Sequence, residues 1–285
     1  MLHNWSPSLH FVTTNAGIEI AVYSFGAIPK RGGVLLLHGF GDCSAVWAGV
    51  IPSLLRQRPL VCLDFPGHGN SQWMADQNYS ADVFVNTILD VLDDLGIEQI
   101  SLIGHSLGGE VALRLVAADA QRFSSSCCID YAIDTPASAQ DAVFQNIASA
   151  FGPHASHEEY QEILQERHPL ASLELLEVVS RESLKMTESG LLLKFDPELL
   201  KRRINLICNS SPIAFEIVNV LKSIKRPTLL IRGIGSAILS RAEVQRMRNI
   251  IGAHCTVVDI PAAGHSIQIE NPGALCSELE KFLGH

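Results

Sequence analysis

The sequence lacks several features that would place it in a specialised class of protein. It has no long run of lysine and arginine, and its formal net charge is −9. An acidic chain of this kind lacks the positive surface that binds nucleic acid or an anionic membrane, so we expect neither as a partner. No apolar stretch approaches the roughly 20 residues that a helix needs to cross a bilayer.

Targeting and cross-linking signals are also missing. The first ten residues lack the basic start, the apolar segment and the small-residue cleavage site of a signal peptide, so the cytoplasm is the expected location. The seven cysteines include no C-x-x-C pair. Because most of them lie in apolar segments, we expect buried free thiols rather than disulfides or a metal site.

What is present favours a folded α/β protein. Six apolar runs of strand length alternate with segments of helical periodicity, at residues 33–39, 60–65, 100–105, 125–130, 228–233 and 255–260. Runs that are apolar on both faces are typical of parallel strands covered by helices. In residues 9–26, apolar and polar residues alternate on either side of a turn at 15–17, which predicts an antiparallel hairpin at the edge of the sheet. The sequence therefore predicts a doubly wound α/β fold.

The alternation of strand-like runs with helical segments stops between residues 135 and 222, where almost every segment has helical character. The simplest interpretation is a helical insertion between two strands of one sheet. We therefore predict an α/β core formed by residues 1–134 and 223–285, and a helical cap formed by residues 135–222.

The strongest chemical signal is the segment LIGHSLGG at residues 102–109, in which an apolar strand runs directly into a helical pattern. Gly-x-Ser-x-Gly in this context predicts a nucleophile elbow, a tight and strained turn that exposes the serine hydroxyl. Gly104 and Gly108 allow the strand and the helix to approach closely. Ser106 is thus the candidate nucleophile, at the positive end of the following helix.

A second motif, His-Gly-Phe-Gly at residues 38–41, follows the strand at 33–37. Such a loop can direct backbone N–H groups at the site above the elbow, so Phe40 and Leu107 are expected to form an oxyanion hole. His38 is expected mainly to hold the loop, with direct proton transfer as an alternative. His38, Gly39 and His105 are also candidate contacts for the substrate.

The third motif, Gly-His-Ser at residues 264–266, lies just past the last predicted strand. A histidine on this loop can reach the serine from above and act as general base and then as general acid. His265 is therefore the candidate catalytic base.

Together, the segments HGFGDCSAVW, LDFPGHGNS, GHSLGG, PTLLIRG and IPAAGHSIQIENP resemble the α/β-hydrolase fold superfamily, and in particular its small esterase- and lyase-like branch with a helical cap. The resemblance covers the core on both sides of the insertion, and residues 191–200 also look like a cap segment of that branch. It implies a mostly parallel central sheet, a Ser–His–acid triad, and a substrate bound between core and cap.

One member of the implied triad is missing. The resemblance places the acid on the loop after the strand at 228–233, where Gly233 and Ser236 keep the register but Ala237 occupies the acid's position. Three interpretations remain open. The acid has moved to Asp130, with Asp134 as a weaker candidate; or Ala237 is a substitution introduced at a natural aspartate; or the natural protein works without this acid.

The predicted function is hydrolysis of an ester, thioester or lactone of a small to medium apolar acyl compound, with no cofactor. Two alternatives remain: C–C bond hydrolysis or a lyase reaction on the same fold, and a catalytically impaired homologue that binds a ligand. The sequence predicts neither the individual substrate nor the oligomeric state.

Overall fold

A computed structural model describes residues 5–201 and 213–284 and contains one eight-stranded sheet and a separate two-stranded hairpin. The strands are β1 Ser8–Thr13, β2 Glu19–Phe25, β3 Arg31–Leu37, β4 Leu60–Leu63, β5 Gln99–His105, β6 Phe123–Ile129, β7 Leu184–Thr187, β8 Gly190–Leu193, β9 Thr228–Gly233 and β10 Cys255–Ile260. The order in the large sheet is β1-β2-β4-β3-β5-β6-β9-β10. Strands β3 to β6, β9 and β10 run parallel, whereas β2 is antiparallel to β1 and to β4. The predicted α/β fold with a mostly parallel sheet and an antiparallel edge hairpin is confirmed.

Helices cover the sheet and build the insertion. They are α1 Ile51–Leu54, α2 Ala81–Asp94, α3 Leu107–Ala118, α4 Ala137–Ala148, α5 His157–Arg167, α6 Leu173–Ser183, α7 Ile213–Ser223, α8 Arg241–Ile251, α9 Ile267–Glu270 and α10 Pro272–Leu283. Several of these helices begin with a side-chain cap. Ser80 accepts a hydrogen bond from the N–H of Val83, and Asn271 accepts one from the N–H of Ala274, which satisfies backbone donors that the helices cannot pair internally. None of the helices in the described ranges is long and apolar enough to span a membrane.

The centre of the sheet positions the site. Strand β5 pairs with β3 on one side and β6 on the other, and the four residues Val34–Leu37 of β3 are fully buried. Parallel strands buried on both faces must end in loops at a common edge, and ligands of such sheets bind at the carboxyl edge. The loops after β3, β5, β6, β9 and β10 carry all the candidate residues, so the topology gathers them at one edge.

The segment between β6 and β9 differs in one respect from the expected run of helices. Helices α4, α5 and α6 are followed by the hairpin β7–β8, whose second strand buries Leu191 and Leu193 on alternate positions. Gly190 begins this strand with φ +119, a value that L side chains rarely adopt, which allows a tight turn. Much of the helical pattern predicted near residues 196–209 lies outside the described residues.

Helix α7, which the sequence assigns to the cap, packs against helices of the core. Arg114 on α3 forms ion pairs with Glu110 on the same helix and with Glu216 on α7. The side chains of Arg114 and Glu110 are each only 8% exposed. A buried carboxylate requires such a partner. The ion pair between Arg114 and Glu216 ties the returning chain to the helix that follows Ser106. The boundaries predicted for core and cap stay a prediction.

The six cysteines in the described ranges are free and buried, as expected: Cys43, Cys62, Cys127, Cys128, Cys255 and Cys276. Cys208 lies outside these ranges. Burial raises the pKa of the Cys43 thiol to about 12, so this thiol stays protonated and unreactive at neutral pH.

Candidate active site

The turn between β5 and α3 has the geometry of a nucleophile elbow. Ser106 has φ 51 and ψ −114, a strained conformation for a residue with a side chain. A Cβ atom on Gly104 would lie 2.0 Å from the carbonyl oxygen of Gly108, and one on Gly108 would lie 2.3 Å from that of Leu37. Both glycines are therefore required for strand and helix to meet this closely.

Backbone hydrogen bonds fix the elbow and leave two donors for a ligand. The N–H of Ser106 donates to the carbonyl of Ile129 at 2.8 Å, which ties the elbow to the end of β6. Leu107 is the first residue of α3, so its N–H has no acceptor within the helix. Within the described part of the chain the N–H of Phe40 also has no acceptor. Because an oxyanion hole requires backbone N–H groups that are free to bind the developing charge, Phe40 and Leu107 stay the predicted donors.

His265 contacts Asp130. The distance from His265 Nδ1 to Asp130 Oδ1 is 2.9 Å; the carboxylate is fully buried, whereas the imidazole is 22% exposed. Because a carboxylate only accepts, the imidazole carries its hydrogen on Nδ1 and leaves Nε2 as a free base. This tautomer is the one that can accept a proton from a serine hydroxyl.

Asp130 is held by donors from the loop after β9. The N–H of Gly233 donates to Oδ2 at 2.9 Å, and the hydroxyl of Ser236 donates to Oδ1 at 2.5 Å. The Ser236 oxygen in turn accepts from the N–H groups of Ile238 and Leu239, each at 3.1 Å. Three donors from His265, Gly233 and Ser236 thus converge on one buried carboxylate and satisfy its acceptor oxygens.

The other two acid positions lie elsewhere. Ala237 is exposed on the loop that Ser236 anchors. Asp134 pairs with Arg246 at the surface, where the Asp134 side chain is 60% exposed. Of the three positions weighed for the acid, only Asp130 contacts His265 in this structure.

Among the described side chains, no hydrogen bond joins Ser106 Oγ to His265. Catalytic hydrogen bonds are often long in unliganded enzymes and tighten only when substrate binds. The segments that carry them are in contact, because the ring centroid of His105, the residue before Ser106, lies 4.6 Å from that of His265.

His38 and His105 lie beneath the loops with both ring nitrogens occupied. His38 is fully buried; its Nδ1 is 2.8 Å from the carbonyl of Gly39, and its Nε2 accepts from the N–H of Phe65 at 3.0 Å. Burial lowers the pKa of His38, so the ring stays neutral. Gly39 is also buried, and neither imidazole has a nitrogen left for a substrate. These contacts show His38 and His105 holding the loops around the elbow. The substrate contacts expected of His38, Gly39 and His105 stay a prediction.

The sequence did not reveal the part that Glu270 and His168 take in holding the histidine loop. Glu270 accepts a hydrogen bond from the N–H of Gly264 at 2.5 Å and lies 3.2 Å from Nδ1 of His168, which belongs to the insertion. Burial acts to raise the pKa of Glu270, but these two hydrogen bonds outweigh it and lower the pKa. Glu270 lies six residues after Gly264, a spacing too common to single it out without the structure.

Aromatic rings surround the oxyanion loop on the side of the insertion. The ring of Phe40 packs edge-on against Phe144 of α4 at 5.8 Å and against Phe195 at 5.2 Å, and Phe151 lies 5.7 Å from Phe195. Aromatic walls of this kind favour apolar ligand groups. The insertion therefore supplies apolar rings against Phe40, the residue predicted to contribute an oxyanion donor from its backbone.

The chain matches a known family over most of its length. The family model described as the alpha/beta hydrolase fold matches residues 33–272. This range includes the elbow, the oxyanion loop, Asp130 and His265, together with the whole insertion.

Two curated relatives match shorter segments. One segment is 36% identical over 121 residues to 2-hydroxymuconate semialdehyde hydrolase of Pseudomonas sp. (strain CF600), covering 41% of this chain and 41% of that protein. Another is 38% identical over 102 residues to esterase Rv0045c of Mycobacterium tuberculosis, covering 36% of this chain and 33% of that protein. The chain thus spans less than half the length of these relatives.

Among solved structures, E-2-(acetamidomethylene)succinate hydrolase superposes with a TM-score of 0.88, covering 98% of this chain and 100% of that chain at 19% sequence identity. At this identity the likeness shows the fold alone. Fold, motif positions and family match agree, and the chain belongs to the alpha/beta hydrolase fold family.

Proposed function

We propose that this protein is a serine hydrolase that cleaves an ester, thioester or lactone of a small to medium apolar acyl compound. The observation that carries the proposal is the 2.9 Å contact between His265 and Asp130, beside a strained serine at the start of a helix. Ser106 is the nucleophile, His265 the base, and Asp130 the acid that the Ala237 position lacks. No cofactor takes part.

The proposed reaction has two halves. Ser106 Oγ attacks the carbonyl carbon while its proton passes to Nε2 of His265, and the N–H groups of Phe40 and Leu107 stabilise the oxyanion. Asp130 stabilises the imidazolium that forms. His265 then gives the proton to the leaving oxygen or sulfur as its bond to the carbonyl carbon breaks, which leaves an acyl-serine. A water molecule gives a proton to the same imidazole and attacks the acyl carbon. The bond from that carbon to Ser106 Oγ breaks, His265 returns the proton to Oγ, and the acid is released.

The surroundings of the elbow support the choice of an apolar acyl group. Phe40 supplies one proposed oxyanion donor from its backbone, while its ring packs against Phe144 and Phe195. An acyl chain held with its carbonyl at the donors would lie against these rings. Burial of such a chain contributes about 0.8 kcal/mol for each methylene group.

The test combines a fluorophosphonate probe with a series of p-nitrophenyl and thioester acyl substrates. We expect the wild-type protein to be labelled at Ser106 and to hydrolyse short and medium acyl chains. Ser106→Ala should abolish both, and the exposed control Ser277→Ala should leave both unchanged. A folded wild-type protein that stays unlabelled would refute the proposal and favour the ligand-binding alternative.

C–C bond hydrolysis is the second candidate, because one of the similar proteins is a 2-hydroxymuconate semialdehyde hydrolase. Such a reaction would use the same serine and histidine to cleave a C–C bond beside a carbonyl group. With 2-hydroxymuconate semialdehyde as the test substrate, we would observe its consumption without hydrolysis of activated esters. Rapid ester turnover with no consumption of the semialdehyde would reject this candidate.

A further inference from the structure

His105 connects two of the proposed catalytic segments. It precedes Ser106 at the end of β5 and is only 2% exposed. Its Nε2 atom lies 2.9 Å from the backbone carbonyl oxygen of His265. Since a carbonyl only accepts, His105 carries a hydrogen on Nε2 and donates it. The imidazole therefore fixes the distance between the nucleophile turn and the loop of the base.

A second buried side chain orients that imidazole. Gln268, three residues after His265, is fully buried, and its Nε2 lies 3.2 Å from Nδ1 of His105. With the hydrogen of His105 on Nε2, the Nδ1 atom is a bare acceptor, and the amide N–H of Gln268 fills it. The ring of His105 is thus hydrogen-bonded through both nitrogens to the same segment, once to His265 and once to Gln268.

The same ring supports the oxyanion loop. A Cβ atom on Gly39 would lie 2.7 Å from Nδ1 of His105 and 2.9 Å from Oδ2 of Asp42. The Asp42 carboxylate itself lies 3.8 Å from that Nδ1. Only a glycine lets the loop approach the imidazole this closely, so the residue before Phe40 rests directly on His105.

We propose that His105 is the positioning residue that sets nucleophile, base and oxyanion loop in register, with Gln268 fixing its ring. The proposal rests on the proposed serine hydrolase function and deepens it. His105 touches no reacting atom. It acts by holding the His265 carbonyl and the Gly39 backbone at fixed distances from the turn that carries Ser106.

The alternative is that His105 only fills space beneath the elbow. Replacement of His105 by leucine and by glutamine distinguishes the two roles. Leucine fills much of the volume of the ring but cannot donate, whereas glutamine carries an amide N–H at nearly the reach of Nε2. A purely structural role predicts that both variants are affected alike, and a positioning role predicts rescue by glutamine.

The experiment measures kcat, KM and the melting temperature of wild type, His105→Leu, His105→Gln and Gln268→Leu on the best ester. His105→Leu is expected to lower kcat by about 10- to 100-fold with KM within about twofold, because a displacement of about 1 Å costs up to about 10²-fold. His105→Gln should recover kcat to within about fivefold of wild type. The double variant His105→Leu with Gln268→Leu should have a kcat no lower than that of His105→Leu alone, since the two residues form one bridge.

His154→Leu is the matched control. His154 is a buried histidine of the insertion whose Nε2 lies 3.0 Å from the carbonyl of Ala150, so its loss removes the same kind of hydrogen bond elsewhere. We expect a lower melting temperature with unchanged kcat. Unchanged kcat in His105→Leu, or an equal loss of kcat in His105→Leu and His105→Gln, would overturn the positioning role.

A readout independent of turnover keeps this inference separate from the proposed function. The Nδ1 proton of His265, held by Asp130, is expected as a downfield NMR resonance in wild type and in His105→Gln, and broadened in His105→Leu. If the wild-type protein hydrolyses nothing but this pattern holds, the proposed function fails and the positioning of His265 stands. A resonance unaffected by His105→Leu overturns the positioning role whatever the activity.

Discussion

Replacement of Asp130 by asparagine tests the proposed acid with the least disturbance of the fold. Asp130 has φ 49, a left-handed conformation that asparagine tolerates and alanine adopts only at a cost of about 1–2 kcal/mol. The amide has the shape of the carboxylate and keeps one acceptor oxygen. Asp130→Asn therefore removes the charge and one acceptor while leaving the backbone in place.

The size of the effect follows from the three donors that meet at Asp130. An amide nitrogen at the Oδ1 position would face His265 Nδ1 and force the imidazole into the tautomer with its hydrogen on Nε2, which cannot accept a proton from Ser106. Loss of this tautomer lowers kcat by about 10⁴-fold in serine hydrolases. An amide nitrogen at the Oδ2 position instead faces the N–H of Gly233 and leaves that donor unpaired, which costs stability of about 1–3 kcal/mol. Either orientation is measurable, the first in kcat and the second in unfolding by urea.

The companion variant is Ala237→Asp. Because Asp130 already occupies His265 Nδ1 and Ala237 is exposed, we expect kcat for ester hydrolysis to stay within about threefold of wild type, a change of less than about 0.7 kcal/mol in activation free energy. A tenfold or larger rise in Ala237→Asp, together with a loss below tenfold and unchanged stability in Asp130→Asn, would refute the assignment of Asp130. That result would show that the chain is impaired at position 237.

Three further predictions concern stability. Gly108→Ala places a Cβ atom 2.3 Å from a backbone oxygen of β3, so we expect the free energy of unfolding in urea to fall by about 3 kcal/mol. The control Gly273→Ala, whose Cβ atom would have nothing within 4 Å, should raise it by about 0.5 kcal/mol. Equal effects of the two variants would contradict the clash. Burial lowers the pKa of His68 to about 3, well below its unfolded value, so its contribution to stability is present above about pH 6.5 and is lost as pH falls toward 3, by about 1.4 kcal/mol per pH unit. His68→Leu should therefore lose about 2 kcal/mol less than wild type between pH 7 and pH 5, and parallel stability curves would disprove this. Arg114→Met leaves the Glu110 carboxylate buried without its partner on α3 and should lower the free energy of unfolding by about 3–5 kcal/mol. Addition of Glu110→Leu should recover most of this loss. An Arg114→Met variant as stable as wild type would show that the pair contributes nothing.

The fold was predictable because its signals are local. Strands apolar on both faces form unbroken apolar runs in the sequence, and each of the six begins and ends within two residues of its predicted limits. The hairpin β7–β8 was missed because four-residue strands show too few alternations to stand out beside helices. The packing of α7 on α3 was missed because it depends on a pairing between Arg114 and Glu216, which are 102 residues apart.

The site was predictable where a motif carries its own geometry, as at Ser106, and less so where a contact joins distant loops. No local pattern around Asp130 distinguishes it from an aspartate that merely ends a strand. Its meaning comes from His265, which is 135 residues away. The roles proposed for His105 and Gln268 are of the same kind, since each is an unremarkable polar residue until the β5 and β10 loops are placed side by side.

The contacts of the loop after β9 explain how the site can contain a carboxylate although residue 237 is an alanine. Strand β6 lies between β5 and β9 in the sheet, and its last residue, Ile129, accepts a hydrogen bond from the N–H of Ser106, so Asp130 follows directly after a residue that contacts the elbow. Ser236 and Gly233 direct their donors at Asp130, and the Ser236 oxygen closes the turn that carries Ala237. The loop therefore supplies hydrogen-bond donors to a carboxylate at the end of the neighbouring strand. A donor-rich loop beside a fully buried aspartate is the arrangement expected if the acid of this chain resides at Asp130, because a buried carboxylate without hydrogen-bond partners costs free energy.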